Sequence, residues 1–366
     1  RSYAESGGPE TTYGALGVGM GPLFTPHDSY RSVRAAALEM LSCGVTTTHN
    51  WAHNIITPEH ADAELQALRD VGIRHRFSYG YYWTLGQTEP TNLADVRRVH
   101  DEWTGPMTRV GLALRNDTTQ GTASVSFGPL SVSPDLLAQE MAFARDHGIP
   151  LTMHIRNPGP AEYFIDRGYI GPDCLVVHGY HWDDDTSWRR LADAGARVSV
   201  SPYTAMILNS TLIPLGPMLD AGVPTGLSFD HMNESGGADM FRLMQATVVN
   251  ESLRVGEPLP WRTAVRLATI DGARLLGIDD VTGSLTPGKR ADLVVLDARR
   301  LTMAPVHDLA MTVACSAGPA AVTLVMVDGE VLVRDGALAR YDQAGIADDL
   351  EALFREKTNQ LRAGRS

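Results

Sequence analysis

The chain has 366 residues, 43% of them hydrophobic and 20% charged, an ordinary soluble composition and enough length for one α/β barrel with a small appendage. A net charge of −12 disfavours nucleic acid or an anionic membrane as partner, and no apolar run approaches the roughly 18 residues that a bilayer span needs. Three widely spaced cysteines, Cys43, Cys174 and Cys315, exclude a disulfide framework or a zinc ribbon and read as buried free thiols of a reducing, cytoplasmic compartment.

Residues 1–28 are rich in Gly, Pro, Thr and Ser, and are expected to form a loop covering part of the active face. Asp28 or Ser29 then caps a predicted helix that runs to about Ser42, with Val33, Ala36, Ala37, Met40 and Leu41 as its apolar stripe and Gly44 after its end. A strand follows at 44–49 and continues through Asn50-Trp51-Ala52-His53. Side chains alternate along a strand, so His49, Trp51 and His53 point the same way. Three readings stay open for them: an aromatic-lined wall, substrate contacts, or metal ligation.

Residues 58–71 read as an amphipathic helix and 73–83 as a strand ending in Tyr79, Tyr81, Tyr82 and Trp83, a cluster that suits a planar organic ligand. A helix near 93–103, a strand at 123–127 and a helix begun by Ser133-Pro134 come next.

From 149 to 230 four short apolar strands end in polar residues: 149–154 on His154, 174–178 on His178, 197–202 in a polar loop, and 223–230 on Asp230. Segments of helical period, such as 186–194 and 212–221, lie between them, which argues for βα units and a parallel sheet. Singly, each of these residues has a plain structural reading, a hydrogen-bonded histidine or a helix-capping aspartate. Together, His, His and Asp at successive strand ends would converge on the C-terminal face, where a barrel carries its chemistry.

Strands near 45, 73, 123, 149, 174, 197 and 223 make seven, where a closed (β/α)8 barrel has eight; the first is expected upstream of Arg1. After Trp261 the pattern changes to β runs, with a hairpin signature at Asp328-Gly329 and a closing helix at about 346–362. The expected organisation is therefore a barrel over 1–280, a small β domain over 281–340 and a C-terminal helix over 341–366.

Three stretches together resemble the metal-dependent amidohydrolase superfamily in its cytosine deaminase and chlorohydrolase branch. They are Gly283-Ser-Leu-Thr-Pro-Gly-Lys-Arg-Ala-Asp-Leu-Val-Val-Leu-Asp297, the strand-end histidines, and Leu219-Asp-Ala-Gly-Val-Pro-Thr-Gly-Leu-Ser-Phe-Asp230. The resemblance implies a (β/α)8 TIM barrel with a small composite β-sandwich. It also implies one divalent metal, zinc first and iron second, and a small-molecule substrate. A homodimer is compatible with it. It makes His154 and Asp230 metal ligands, Asp230 also the proton acceptor, and His178 the residue that holds or polarises the substrate. Asn157, His49, Trp51, His53, Trp83 and His231 are the expected substrate contacts.

The sequence departs from the pattern in three places. It contains no His-x-His, the pair that the family carries on its first strand. Asn157 stands three residues after His154, where deaminases of the branch carry Glu, and an amide cannot act as a general acid. The only lysines, Lys289 and Lys357, lie on no predicted barrel strand, which excludes a carboxylated-lysine bimetal site. The expected function is hydrolysis of a C–N or C–Cl bond of a small cyclic or planar substrate by a metal-activated water. The alternative is an altered homologue, a lyase or decarboxylase or a ligand-binding protein, because of Asn157.

Overall fold

The computed structural model of the chain describes residues 19–82, 85–86, 88–117, 131–155, 161–178, 185–209 and 211–364. Two compact units are present, one holding residues 2–39, 47–153 and 340–366, the other chiefly 40–46 and 154–339.

The first unit alternates strands and helices. Helix α1 (Pro26–Ser42) leads to β1 (Thr47–Ala52), α2 (Pro58–Val71) to β2 (Arg74–Tyr79), α3 (Leu93–Trp103) to β3 (Thr108–Leu114), and α4 (Pro134–Asp146) to β4 (Leu151–Ile155). Each helix starts on a residue that satisfies its free N–H groups: Asn92 accepts from the Asp95 amide, Ser133 from the Leu136 amide, and Thr57 shares a capping box with His60. Helix α1 begins three or four residues earlier than a cap at Asp28 or Ser29 would give, because the Asp28 carboxylate accepts from the Thr25 amide at 2.9 Å and from its hydroxyl at 2.7 Å. The strands pair parallel, with His49 beside Arg76, Trp51 beside Ser78 and Leu112 beside Leu151. Strand β2 is buried along its whole length, as expected of a parallel strand covered on both faces.

Some buried polar groups here find partners nearby. Burial pushes His75 down to about 4, so its ring is neutral; Nδ1 donates to the Ile73 carbonyl and Nε2 accepts from the Thr108 hydroxyl. The C-terminal helix Gln343–Ala363 is held to α1 by Arg31 on Asp349 at 2.7 Å and by buried Lys357 on Asp28 at 2.7 Å.

In the second unit β5 (Cys174–His178), β6 (Arg197–Val200) and β7 (Thr225–Leu227) pair parallel, with Val198 beside Thr225. Val176, Val198 and Val200 are fully buried, which accounts for their apolar runs. A separate antiparallel sheet follows, of β8 (Leu293–Leu296), β9 (Val322–Val327), β10 (Glu330–Arg334) and β11 (Ala337–Leu338). Asp328 and Gly329 both take positive φ, 53° and 87°, the pair that a two-residue hairpin turn requires. Within each unit the hydrogen-bonded order of the parallel strands follows the sequence, and the division between units falls inside β4.

Six of the seven expected strands lie near their predicted places, and the third position in the sheet is filled by β3. Its short run is interrupted by Gly111, and it lies closer to α3 than the expected strand at 123–127, which falls outside the described residues. Gly111 is needed there: a Cβ would sit 2.8 Å from the Pro150 carbonyl and 3.0 Å from the Arg76 guanidinium.

Glu64 on α2 is buried against β1, where its carboxylate accepts from the Asn50 amide at 2.9 Å. That bond favours the charged form, but burial outweighs it and raises the carboxyl from an ordinary 4.5 to about 7. A carboxyl raised in the folded state contributes stability that is fully present below its unfolded value and is lost as pH rises through the folded one. Glu64→Gln, which keeps an acceptor for Asn50, should therefore match the parent at pH 4.5. It should exceed the parent by up to ~3 kcal/mol at pH 8.5, read by urea unfolding at each pH. The same difference at both pH values would contradict this.

Candidate active site

Backbone conformation singles out two side chains in the second unit. Among the described residues four other than glycine have positive φ: His178 at 77°, Asp230 at 56°, Asp328 at 53° and Asp335 at 52°. The last two serve hairpin turns just before a glycine. His178 ends β5 and Asp230 lies three residues beyond β7, so no hairpin calls for the left-handed form at either. Such a conformation costs about 1–2 kcal/mol in an L-residue, and retained strain of this kind gathers at functional sites. At Asp230 the backbone is steadied by its own amide, which donates to the Ser228 hydroxyl at 2.9 Å.

The effect is to aim the two side chains at each other. His178 Nε2 lies 3.9 Å from Asp230 Oδ2, and His231 Nε2 lies 3.5 Å from Asp230 Oδ1. The His154 and His178 rings face each other with centroids 5.1 Å apart and planes tilted by 36°. The His178 side chain is fully buried and that of Asp230 is 8% exposed, while His231 at 22% lies on the more open side. His154, His178, Asp230 and His231, all singled out in the sequence, thus form one cluster. Among the described residues no three His, Cys, Asp or Glu side chains are already closed around a single metal position.

In the first unit the expected alternation holds. Asn50 points outward to Glu64, so His49 and Trp51 occupy the opposite, inner face of the sheet. His49 Nε2 lies 2.7 Å from the Ser78 hydroxyl. Burial first, and the nearby Arg76 charge second, hold its pKa well below the usual histidine value, so the ring stays neutral. The Trp51 indole N–H donates to the Thr152 hydroxyl at 3.2 Å. His53 packs on Trp51 with centroids 4.7 Å apart and meets Tyr81 edge-on at 5.6 Å. Asn157 and Trp83 lie outside the described residues.

Sequence reasoning missed Arg76, Ser78 and Thr152. Run-length patterning hides them, because Arg74–Tyr79 alternates charged and aromatic residues and yet is buried throughout. The usable signal was the period of two: Arg76 and Ser78 occupy the positions that partner His49 and Trp51 across the parallel pair.

Residues 16–332 match the amidohydrolase family. The chain is 29% identical over 347 residues to the 5'-deoxyadenosine deaminase of Methanothermobacter thermautotrophicus, covering 90% of this chain and 77% of that one. It is 30% identical to the 5-methylthioadenosine/S-adenosylhomocysteine deaminase of Symbiobacterium thermophilum, covering 85% and 72%. Among solved structures, an adenosine deaminase from Xanthomonas campestris with bound zinc superposes with a TM-score of 0.79 at 20% identity, over 94% of this chain and 78% of that one. The zinc complex of atrazine chlorohydrolase from Arthrobacter aurescens TC1 superposes with a TM-score of 0.74 at 22% identity, over 90% and 77%. These likenesses establish the barrel-type fold with its small separate sheet. With the family match spanning most of the chain and identity reaching 30% across most of a deaminase, the chain belongs to the amidohydrolase family.

Proposed function

We propose that this amidohydrolase hydrolyses an exocyclic C–N bond of a planar heterocyclic substrate, an adenine nucleoside being the first class to try. His154, His178 and Asp230 would be its working residues. The observation that carries the reading is the left-handed backbone at His178 and Asp230, which brings a buried imidazole and a nearly buried carboxylate to 3.9 Å. The relatives add the substrate class, since proteins similar to this chain over most of its length are deaminases of adenine nucleosides.

The donor set, imidazole and carboxylate lying close together, is of the type that a divalent metal such as zinc takes. His154 and Asp230 are the residues of this chain that would hold one such ion. When bound, the ion supplies a Lewis acid that lowers the pKa of water towards about 7. Asp230, beside His178, takes the proton as water adds to the ring carbon. His178 donates to the substrate atom on which negative charge develops. Loss of ammonia then requires a proton at the leaving nitrogen; Asn157 offers none, so the proton that Asp230 took from the water is the one passed on. Glu162 and Glu234 are the carboxylates nearest in sequence to the two strand ends. Trp51, His53, His49, Asn157, Trp83 and His231 complete the reading as substrate contacts.

Three free cysteines support a reducing, cytoplasmic setting. Among the described residues no helix is long and apolar enough to cross a membrane. The charge of −12 supports a small-molecule substrate over nucleic acid. Division into a barrel, a small β domain and a C-terminal helix, and assembly as a homodimer, belong to the same proposal.

Ammonia release from adenosine, 5'-deoxyadenosine, 5'-methylthioadenosine and an aminotriazine tests the reading directly. Asp230→Asn, which tolerates the left-handed backbone, should leave the melting temperature nearly unchanged and lower turnover by about 10²–10⁴-fold. Parent-like turnover in that variant would overturn the assignment. His178→Gly and His178→Ala should both be inactive, but the glycine variant should be the more stable by about 1 kcal/mol in denaturant unfolding, because only it relieves the strained φ. Equal stabilities would show that the backbone there stores no strain. Asn157→Glu restores an acid at the third position after His154 and should raise deamination of an aminopyrimidine or aminotriazine to a detectable level. Activity on every substrate unchanged by Asn157→Glu would place that residue away from the chemistry.

A further inference from the structure

We infer that the first turn of the helix Pro202–Asn209, with Arg242 beside it, holds an oxyanion, a phosphate or a carboxylate, that the substrate carries away from the ring being hydrolysed. The inference rests on the proposed hydrolysis of a heterocycle for the identity of the substrate, but its residues all belong to the second unit and none is one of the hydrolytic residues.

The helix starts at the end of β6, on Ser201-Pro202. Proline at the first helical position brings no N–H, and the Ala205 amide donates to the Ser201 carbonyl at 3.0 Å, so the amides left over in this turn are those of Tyr203 and Thr204. A serine in this place ordinarily caps them. Ser133, which precedes Pro134 in the same way, does so for its own helix, accepting from the Leu136 amide at 3.3 Å. The Ser201 hydroxyl makes no hydrogen bond, although the residue is only 1% exposed. Thr204 is also 1% exposed, and its hydroxyl is equally without a partner. Side chains lean towards the N-terminus of a helix, so both hydroxyls lie at the same turn. Two buried hydroxyls beside two uncapped amides are donors that lack an acceptor, an arrangement that folded proteins rarely keep without a use. An anion supplies the acceptor, since the N–H groups and the dipole of a helix start both favour negative charge. Rotation about one side-chain bond swings each hydroxyl onto it.

Arg242 adds a full charge at the same place. Its guanidinium lies 4.7 Å from the Tyr203 ring centre, and Gly236 makes room for it, because a Cβ there would be 3.1 Å from Nη2. The Asp239 carboxylate is taken by the start of the helix Met240–Val255, where it accepts from the Arg242 amide at 3.0 Å. Among the described residues no carboxylate pairs with the Arg242 guanidinium, whereas Arg254 on the same helix meets Glu251 at 2.5 Å. Arg242 is exposed, so a ligand reaches it. A guanidinium backed by a ring and lacking an acid is set for a forked contact with phosphate or carboxylate.

Position ties the turn to the proposed chemistry. Strand β6 lies between β5 and β7, the strands that lead to His178 and Asp230. The Val200 carbonyl at the end of β6 accepts from the Ser228 amide at 2.9 Å, and the Ser228 hydroxyl accepts from the Asp230 amide at 2.9 Å. Ser201, the next residue after Val200, is thus within the length of a nucleotide from Asp230.

Calorimetry on the full-length protein compares purine riboside with its 5'-monophosphate, neither of which has an amino group to lose. Turnover compares S-adenosylhomocysteine, which carries a carboxylate, with adenosine. At least one anionic member should be preferred about tenfold, the phosphate arm pointing to a nucleotide and the carboxylate arm to an amino-acid tail. Arg242→Gln should remove most of that preference. Ser201→Ala and Thr204→Val should each lower it about threefold without lowering the melting temperature, since neither hydroxyl makes a bond in the free protein. Lower melting temperatures with an unchanged preference would make the two hydroxyls structural and overturn the assignment. In an enzyme that hydrolyses the ring, no preference for either anion, or one that survives Arg242→Gln, overturns this inference alone. An anion preference that depends on Arg242, in a protein that hydrolyses no heterocycle, overturns the proposed function and leaves the site standing.

Discussion

Register between parallel strands is the constraint on which the arrangement in each unit depends. Paired residues on neighbouring parallel strands point to the same side, and successive residues to opposite sides, so one register decides the contents of a whole face. With His49 opposite Arg76 and Trp51 opposite Ser78, the inner face of the first unit becomes a polar and aromatic layer, and Asn50 goes outward to Glu64. A slip by one residue would bury Asn50 in that layer and turn Trp51 towards the helices.

The second constraint is that charges removed from water must be matched nearby. Arg76 reaches the Leu151 carbonyl at 2.9 Å across a strand that has glycine at its point of closest approach. The terminal nitrogens of Arg115 meet two carbonyls and a carboxylate, and Lys357 meets Asp28. Where the match is a single amide, as at Glu64, protonation makes up the difference and the carboxyl titrates near neutrality. The same physics explains why His49 and His75 remain neutral inside the sheet while the more open His231 lies beside a carboxylate.

Around His178 and Asp230 the balance between stability and use is visible in the backbone. A left-handed histidine at a strand end is an unfavourable local choice, and the surrounding strand has to over-determine it. In return, groups that are far apart in sequence come within 3.9 Å of each other.

The sequence by itself determined the alternation of apolar strands with capped helices, the hairpin at Asp328-Gly329, and the residue types at the strand ends that form the cluster of His154, His178, Asp230 and His231. These are legible because side-chain period, capping and turn chemistry are local, acting over two to four residues. Local signals could not reveal that Thr108–Leu114 is a sheet strand, since Gly111 reads as a breaker until the Pro150 backbone and the Arg76 side chain are seen against it. Nor could they show Arg76, Ser78 and Thr152 as members of the inner layer, or Arg115 and Glu140 as a buried pair. Those roles are partnerships across 25 to 101 positions of chain, such as Arg115 with Glu140 and Trp51 with Thr152. A distant partnership leaves no periodic trace in the sequence, and only burial in a common interior decides which polar side chains must find each other.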